Sequence, residues 1–187
     1  MPLRPPREGS YVYVRETDSG SKERTEKYEQ TASGDGYVVI FRESQFADVP
    51  VLNVEAWADS GVFWIQTRVP GLTTEWCKWP ADNRPKVLPG DLSVAQKLEV
   101  DSTCTVRAGE EMRLAGVVEV KGRKPGTDLA VIQAKLTMTY RGPARNATRD
   151  GDFTSEFSPT EGLVISTSGT YRGTGIAPTE MRERLRR

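Results

Sequence analysis

The regular spacing of turn residues is the feature of this sequence that most constrains its fold. Between Tyr11 and Tyr171, short runs rich in β-branched and aromatic residues are broken by Gly, Pro, Asp and Asn about every 10 to 14 residues. Helical periodicity is scarce, and the clearest runs each have an apolar alternating face. The sequence therefore predicts an all-β fold with little helix, a curved antiparallel meander of about ten strands that forms a half-barrel or an open barrel.

Six runs are the clearest strand predictions, and sequential neighbours are expected to pair. Turn chemistry stands at residues 34–36, 59–61 and 150–151, where glycine supplies the positive φ of a tight turn. Residues 22–31 are polar on both faces and are interpreted as a strand at an exposed edge, with a short helix as the alternative. The six runs are residues 37–42, 49–57, 62–69, 114–120, 129–140 and 163–170.

A single β domain is predicted over residues 10–172. Residues 1–9 are rich in Pro and Arg and are expected to be a flexible N-terminal segment. Residues 173–187 are expected to be a flexible tail or a short helix after Pro178, because isolated helices of this length are marginal in water.

Composition excludes several function classes. Lys plus Arg and Asp plus Glu both total 26, so there is no net positive field for nucleic acid. The absence of histidine removes histidine-based catalysis and the common zinc sites that contain histidine. No apolar run approaches the roughly 18 residues that a membrane span needs. We therefore expect no cofactor, no metal site and no nucleic-acid partner, with membrane contact only through an anchor outside this sequence.

Cys77 and Cys104 are too few and too far apart for a metal cage. An even pair in a β domain suggests a disulfide and an oxidising compartment, and the alternative is two buried thiols in a cytosolic protein. A bridge across this stretch would stabilise the fold by roughly 3 to 4 kcal/mol.

Aromatic residues concentrate in one part of the sequence. Four tryptophans fall within 23 residues and have Phe63 among them. Such a group can line an apolar pocket, and the alternative is ordinary packing in the core of the sheet. The candidate ligand-binding residues are Trp57, Phe63, Trp64, Trp76 and Trp79.

Carboxylates are plentiful, but their spacing identifies no catalytic residue. A carboxylate-based hydrolase needs two such groups across a cleft at a defined separation, which the sequence does not establish. Asp150 and Asp152 flank a glycine without the rest of a calcium loop. The other carboxylates considered are Asp48, Glu55, Asp59, Glu110 and Glu111.

From Cys77 onward, the order of motifs resembles a group of secreted or lipid-anchored proteins best known from actinobacteria. The likeness covers roughly the C-terminal 110 residues and implies a curved antiparallel half-barrel like that of LolA and LolB lipoprotein carriers, outside the cytoplasmic membrane, with Cys77 and Cys104 bridged. The group offers no catalytic residues to carry over. The matching motifs are Val-Leu-Pro-Gly-Asp-Leu-Ser-Val (87–94), Leu-Glu-Val-Asp-Ser-Thr-Cys-Thr (98–105), Leu-Ala-Gly-Val-Val-Glu-Val-Lys-Gly (114–122), Leu-Ala-Val-Ile (129–132) and Phe-Ser-Pro-Thr-Glu-Gly-Leu-Val (157–164).

Together these observations predict a non-enzymatic, extracytoplasmic binding domain, secreted or associated with the cell envelope, whose export signal or anchor lies upstream of this sequence. The expected ligand is a lipid or another amphiphilic envelope component on the concave face of the sheet. The alternative is a structural or protein-interaction module that binds another envelope protein. A carboxylate-based hydrolase is the more distant alternative.

Overall fold

The computed structural model of this protein describes residues 3–32, 38–46, 49–68, 76–143 and 146–187. Every regular element in these ranges is a β-strand, and they contain no helix that could cross a membrane. The strands are β1 (Gly9–Thr17), β2 (Gly20–Ala32), β3 (Val38–Phe46), β4 (Val49–Ala58), β5 (Gly61–Arg68), β6 (Cys77–Lys78), β7 (Lys86–Pro89), β8 (Gln96–Arg107), β9 (Glu110–Arg123), β10 (Ala130–Arg141), β11 (Asn146–Ser158), β12 (Leu163–Gly173) and β13 (Ile176–Leu185).

The strands form one antiparallel sheet whose order largely follows the chain. The order is β4-β3-β2-β1-β13-β12-β11-β10-β9-β8-β6-β5-β7, and β4 also pairs with β5. The first strand lies beside the last, from the Tyr13–Leu185 pair to the Thr17–Met181 pair. The six clearest predicted runs are all strands, in β3, β4, β5, β9, β10 and β12.

The thinnest part of the sheet lies between β5 and β8. These strands are connected through the two-residue β6, and Lys78 of β6 opposes Thr105 of β8 in the one residue pair described between them. One residue pair does not form a continuous hydrogen-bonded ladder between β6 and β8, and the sheet is not closed into a barrel. The prediction of an open, antiparallel, all-β fold is confirmed. The described ranges contain thirteen strands, whereas about ten were predicted.

The hydrophobic core lies against one face of the sheet. Alternate residues of β8, β9 and β10 point to it, as the period of two along a strand requires. Burial of each large aliphatic or aromatic side chain stabilises the fold by roughly 1.5 to 3 kcal/mol. The buried members from these strands are Val100, Cys104, Met112, Leu114, Val118, Val120, Ala130 and Ile132.

The N-terminal segment packs against the end of the sheet where β1 begins, and it is not the free segment expected from its composition. Pro6 is fully buried, and its carbonyl accepts a hydrogen bond of 2.5 Å from Gln30 of β2. The backbone N–H of Arg4 donates to the carbonyl of Pro159, 2.9 Å away. Gly162 makes this close approach possible, because a Cβ there would lie 2.3 Å from the Arg4 carbonyl oxygen.

The prediction of a flexible or helical tail over residues 173–187 is wrong for residues 176–185. These residues form β13, which lies between β12 and β1 within the sheet. Met181 and Glu183 are buried, while the alternate residues Arg182 and Arg184 are exposed. A charged residue on the buried face hides the apolar alternation that identifies a strand, and this is why the pattern was missed.

β2 is a strand, as favoured for residues 22–31, but it does not lie at an edge. It pairs with β1 on one side and β3 on the other. Its buried face carries Glu26 and Tyr28, and Arg24 next to them is largely buried. The polar character of β2 therefore reflects a buried charged cluster and not exposure of both faces.

The turn predictions had three different outcomes. Asp59 and Ser60 do connect β4 to β5, and Gly61 has a positive φ of 140°. The turn predicted at residues 150–151 is wrong, because Gly151 lies inside β11 opposite Leu136. A Cβ at this position would lie 2.3 Å from the Phe153 ring, so a larger residue would require that side chain to move. The turn predicted at residues 34–36 falls outside the described residues.

Candidate functional site

Two of the five candidate aromatic residues are core residues. Trp57 of β4 is buried, stacks on Phe157 with ring centroids 6.4 Å apart, and donates its indole N–H to Glu55 at 3.2 Å. Trp79 is buried as well, and its indole N–H donates to Thr67 at 3.1 Å. Both indoles have the polar partner that a buried tryptophan needs, and neither presents an open surface.

The other three candidates are partly buried and occupy different surroundings. Trp64 packs against the core that contains Trp57 and Trp79. Phe63 points away from them and lines a small pocket of about 170 Å³, where the Lys86 ammonium lies 5.8 Å from its ring centroid. Trp76 is half-buried beside the disulfide. Among the described residues, the five aromatic side chains therefore do not surround one accessible cavity.

Cys77 and Cys104 form a disulfide that joins β6 to β8. Their Cα atoms are 5.8 Å apart, and both side chains are buried, with 0% and 1% exposure. The bridge lies next to the single Lys78–Thr105 pair that connects these strands. It is therefore a covalent link across the thinnest part of the sheet.

Five of the seven carboxylates considered from the sequence have structural partners in the described part of the chain. Glu55 accepts the Trp57 indole N–H, and Glu110 lies 2.7 Å from Arg107. Glu111 pairs with Arg141, Asp150 accepts a hydrogen bond from Thr137, and Asp152 pairs with Lys135. Asp59 is exposed in the β4–β5 turn, and Asp48 lies outside the described residues. None of these partners is another carboxylate.

A surface groove not anticipated from the sequence lies where β1 begins and β13 ends. We call it the rim groove; it has a volume of about 470 Å³ and is lined by residues 10–12, Glu161, Leu163 and residues 185–187. Leu163 is a core residue, and Tyr11 and Leu185 pack against the core. The groove therefore has an apolar floor that continues into the core, and its volume is in the range of small-molecule sites.

The charged side chains of the rim groove are two arginines and one glutamate. The Arg187 guanidinium Nη2 lies 2.9 Å from Oε2 of Glu161, and both side chains are well exposed, at 65% and 46%. Arg186 forms an ion pair with Glu23 of β2. The Arg187–Glu161 pair thus lies among the groove residues, whereas the Arg186 guanidinium is bound to a carboxylate that does not line the groove.

A second charged cluster lies inside the fold, on β1, β2 and β13. Arg24 contacts both Glu26 and Glu183, and Arg15 lies 2.8 Å from Glu183. Tyr28 donates a hydrogen bond of 2.5 Å to Glu26. Burial lowers the pKa of the Arg15 guanidinium, and the attraction of Glu183 opposes that shift. Because these four charges sum to zero and contact one another, the cluster joins the three strands without an uncompensated charge.

The sequence alone offered no signal for the rim groove. Its lining comes from three parts of the chain that meet only because β13 lies beside β1. The location of the groove follows only when residues 176–185 are recognised as a strand that pairs with β1.

Comparisons with known proteins add no relative to this description. No family model, no curated protein and no solved structure matches the chain. The resemblance to LolA-like half-barrel proteins therefore stays a prediction.

Proposed function

We propose that this protein is a non-enzymatic extracytoplasmic binding domain and that the rim groove takes an amphiphilic ligand. One observation carries the proposal: a groove of about 470 Å³ combines an apolar floor with the exposed Arg187–Glu161 ion pair. Ligand sites are concave and mostly apolar, with a few polar groups that orient the ligand. An amphiphile likewise has an apolar chain and a polar head.

Burial of the central face supports the rim as the site. The interior between β4, β8, β9 and β10 is occupied by the side chains of the core itself, including Trp57 and Trp79. The proposal therefore replaces the predicted site on the concave face with a site at the rim, where Tyr11 and Leu185 remain partly exposed.

The disulfide supports an oxidising compartment for the protein. Bridges between buried cysteines persist outside the reducing cytosol, in secreted proteins and at cell surfaces. The Cys77–Cys104 bridge is consistent with that setting, and an envelope lipid would be a ligand available there.

The proposal is tested by native mass spectrometry of the protein purified from its own host, followed by mild organic extraction. We expect an adduct of lipid size that is lost from Leu185→Gln, because this substitution places an amide on the apolar floor. Val94→Gln is the matched control, since Val94 is 57% exposed and lies outside the groove. Circular dichroism checks that both variants fold.

A wild-type protein that shows no adduct and takes up no added envelope lipid would overturn the proposal and favour a protein-interaction module. An adduct retained in Leu185→Gln but lost from a groove-distant variant would place the ligand elsewhere and would also overturn it.

A further inference from the structure

The charges of the rim groove specify the ligand further, and this step rests on the proposed function. We infer that the ligand is a single-chain amphiphile with a carboxylate head, and that Arg187 binds this head in exchange for Glu161. The inference starts from the Arg187–Glu161 ion pair, the only one described in which both partners line the groove.

The Arg187–Glu161 pair is easily exchanged. Its two side chains are 65% and 46% exposed, and pairs this exposed contribute little to stability. Glu161 can therefore turn into solvent without leaving a buried charge. The guanidinium then offers its fork of N–H donors to another carboxylate, with the same bidentate geometry.

The surroundings favour a monoanionic head over the alternatives. A ligand carboxylate replaces the Glu161 carboxylate one for one, so the charge around Arg187 stays balanced. A phosphate monoester carries nearly two negative charges at neutral pH and would exceed the single charge of the Glu161 carboxylate that it displaces. A cationic head in place of Glu161 would face the Arg187 guanidinium and be repelled.

The apolar floor fixes where the chain of the ligand lies. Leu163 belongs to the core, and Leu185 packs against it. The Tyr11 ring contacts the Tyr28 ring edge-on, with ring centroids 5.4 Å apart. An alkyl chain on these side chains would remove apolar surface from water on both partners. The head then lies at the end of the groove where Arg187 is exposed.

Isothermal titration calorimetry with dodecanoate, 1-dodecanol, dodecyl phosphate and dodecyltrimethylammonium, below their aggregation concentrations, tests the inference. We expect dodecanoate to bind most tightly. Glu161→Gln should tighten dodecanoate binding about two- to fivefold, because the competing carboxylate is gone, and Arg187→Gln should weaken it by a similar factor. Neither substitution should change the affinity for 1-dodecanol.

Glu111→Gln is the matched control, because it breaks the exposed Arg141–Glu111 pair away from the groove and should change no affinity. Equal binding of dodecanoate and 1-dodecanol, or no effect of Glu161→Gln, would overturn the carboxylate inference and leave the proposed function standing. Tighter binding of dodecyl phosphate would overturn it too. Failure of all four compounds to bind would refute both the inference and the proposed function.

Discussion

Removal of the disulfide should destabilise this protein strongly and open the sheet at a defined place. The perturbation is the double variant Cys77→Ala/Cys104→Ala. The cysteines are 27 residues apart, and loop-closure entropy for a bridge of this span gives about 3.5 kcal/mol of stabilisation at 25 °C. Since domains are stable by only roughly 5 to 15 kcal/mol, this is a large share of the total.

The place of opening follows from the pairing between β5 and β8. Without the bridge, β6 contacts β8 through the Lys78–Thr105 pair, whereas β8 and β9 pair along almost their whole length. Segments with few contacts open at lower free energy than the rest of a fold. Backbone amides of β5, β6 and β7 should therefore lose protection before those of β9, β10 and β11.

Urea unfolding and hydrogen exchange monitored by mass spectrometry measure the two effects. Wild-type protein held reduced by dithiothreitol is the control, because it loses the bridge without a substitution at either buried cysteine. A double variant within about 1 kcal/mol of the wild type would refute the loop-closure reasoning. Protection lost evenly across all strands would refute the assignment of β6 as the weak link.

Three further predictions concern the N-terminal segment and the charged residues. Gly162→Ala should release residues 3–8, seen as faster tryptic cleavage after Arg7, whereas Gly126→Ala, at a similar positive φ but with open space around it, should leave that cleavage unchanged. Glu183→Ala should cost about 3 to 5 kcal/mol in urea unfolding, because it leaves Arg15 and Arg24 without this buried carboxylate, and Arg113→Gln at an exposed ion pair should cost far less. Hydrogen bonding from Arg113 lowers the pKa of Asp101, so Arg113→Gln should raise that pKa in a ¹³C NMR titration. The lowered pKa means that ionised Asp101 stabilises the folded state at a pH above the ordinary Asp pKa of about 3.9. This stabilisation is lost as the pH falls through the lowered pKa.

Strands with apolar faces could be predicted from the sequence, and strands with charged buried faces could not. β9 and β10 show alternating Leu, Val, Ile and Met, and both were predicted. β13 has Glu183 on its buried face, and β2 has Glu26 there. Glu183 is compensated by Arg15 of β1 and Arg24 of β2, and Glu26 is compensated by Arg24 of its own strand. A buried carboxylate therefore interrupts the apolar alternation of both strands, and its partners are not identifiable before the fold is known.

The aromatic cluster shows why proximity in sequence did not identify the site. Register shifts occur in β4 between Val54 and Glu55 and in β5 between Val62 and Phe63. Such irregularities change which side chains share a face, so alternation alone does not say which aromatic residues share a pocket. Trp57 and Trp79 became core residues because Glu55 and Thr67 accept their indole N–H groups.

The disulfide and the rim groove lie in different parts of the sheet, so loss of the disulfide should change the stability of the fold without changing the groove. The groove is formed by β1, β12 and β13, while the bridge joins β6 to β8, and β9, β10 and β11 stand between β12 and β8 in the strand order. Effects at distant sites without shared partners add independently. Loss of the bridge therefore lowers the fraction of folded protein but leaves the groove of the folded fraction intact. A binding defect in Arg187→Gln, at an exposed ion pair, reports on the groove. A binding defect in Leu185→Gln does so only when its urea unfolding shows that the variant is folded, because Leu185 packs against the core.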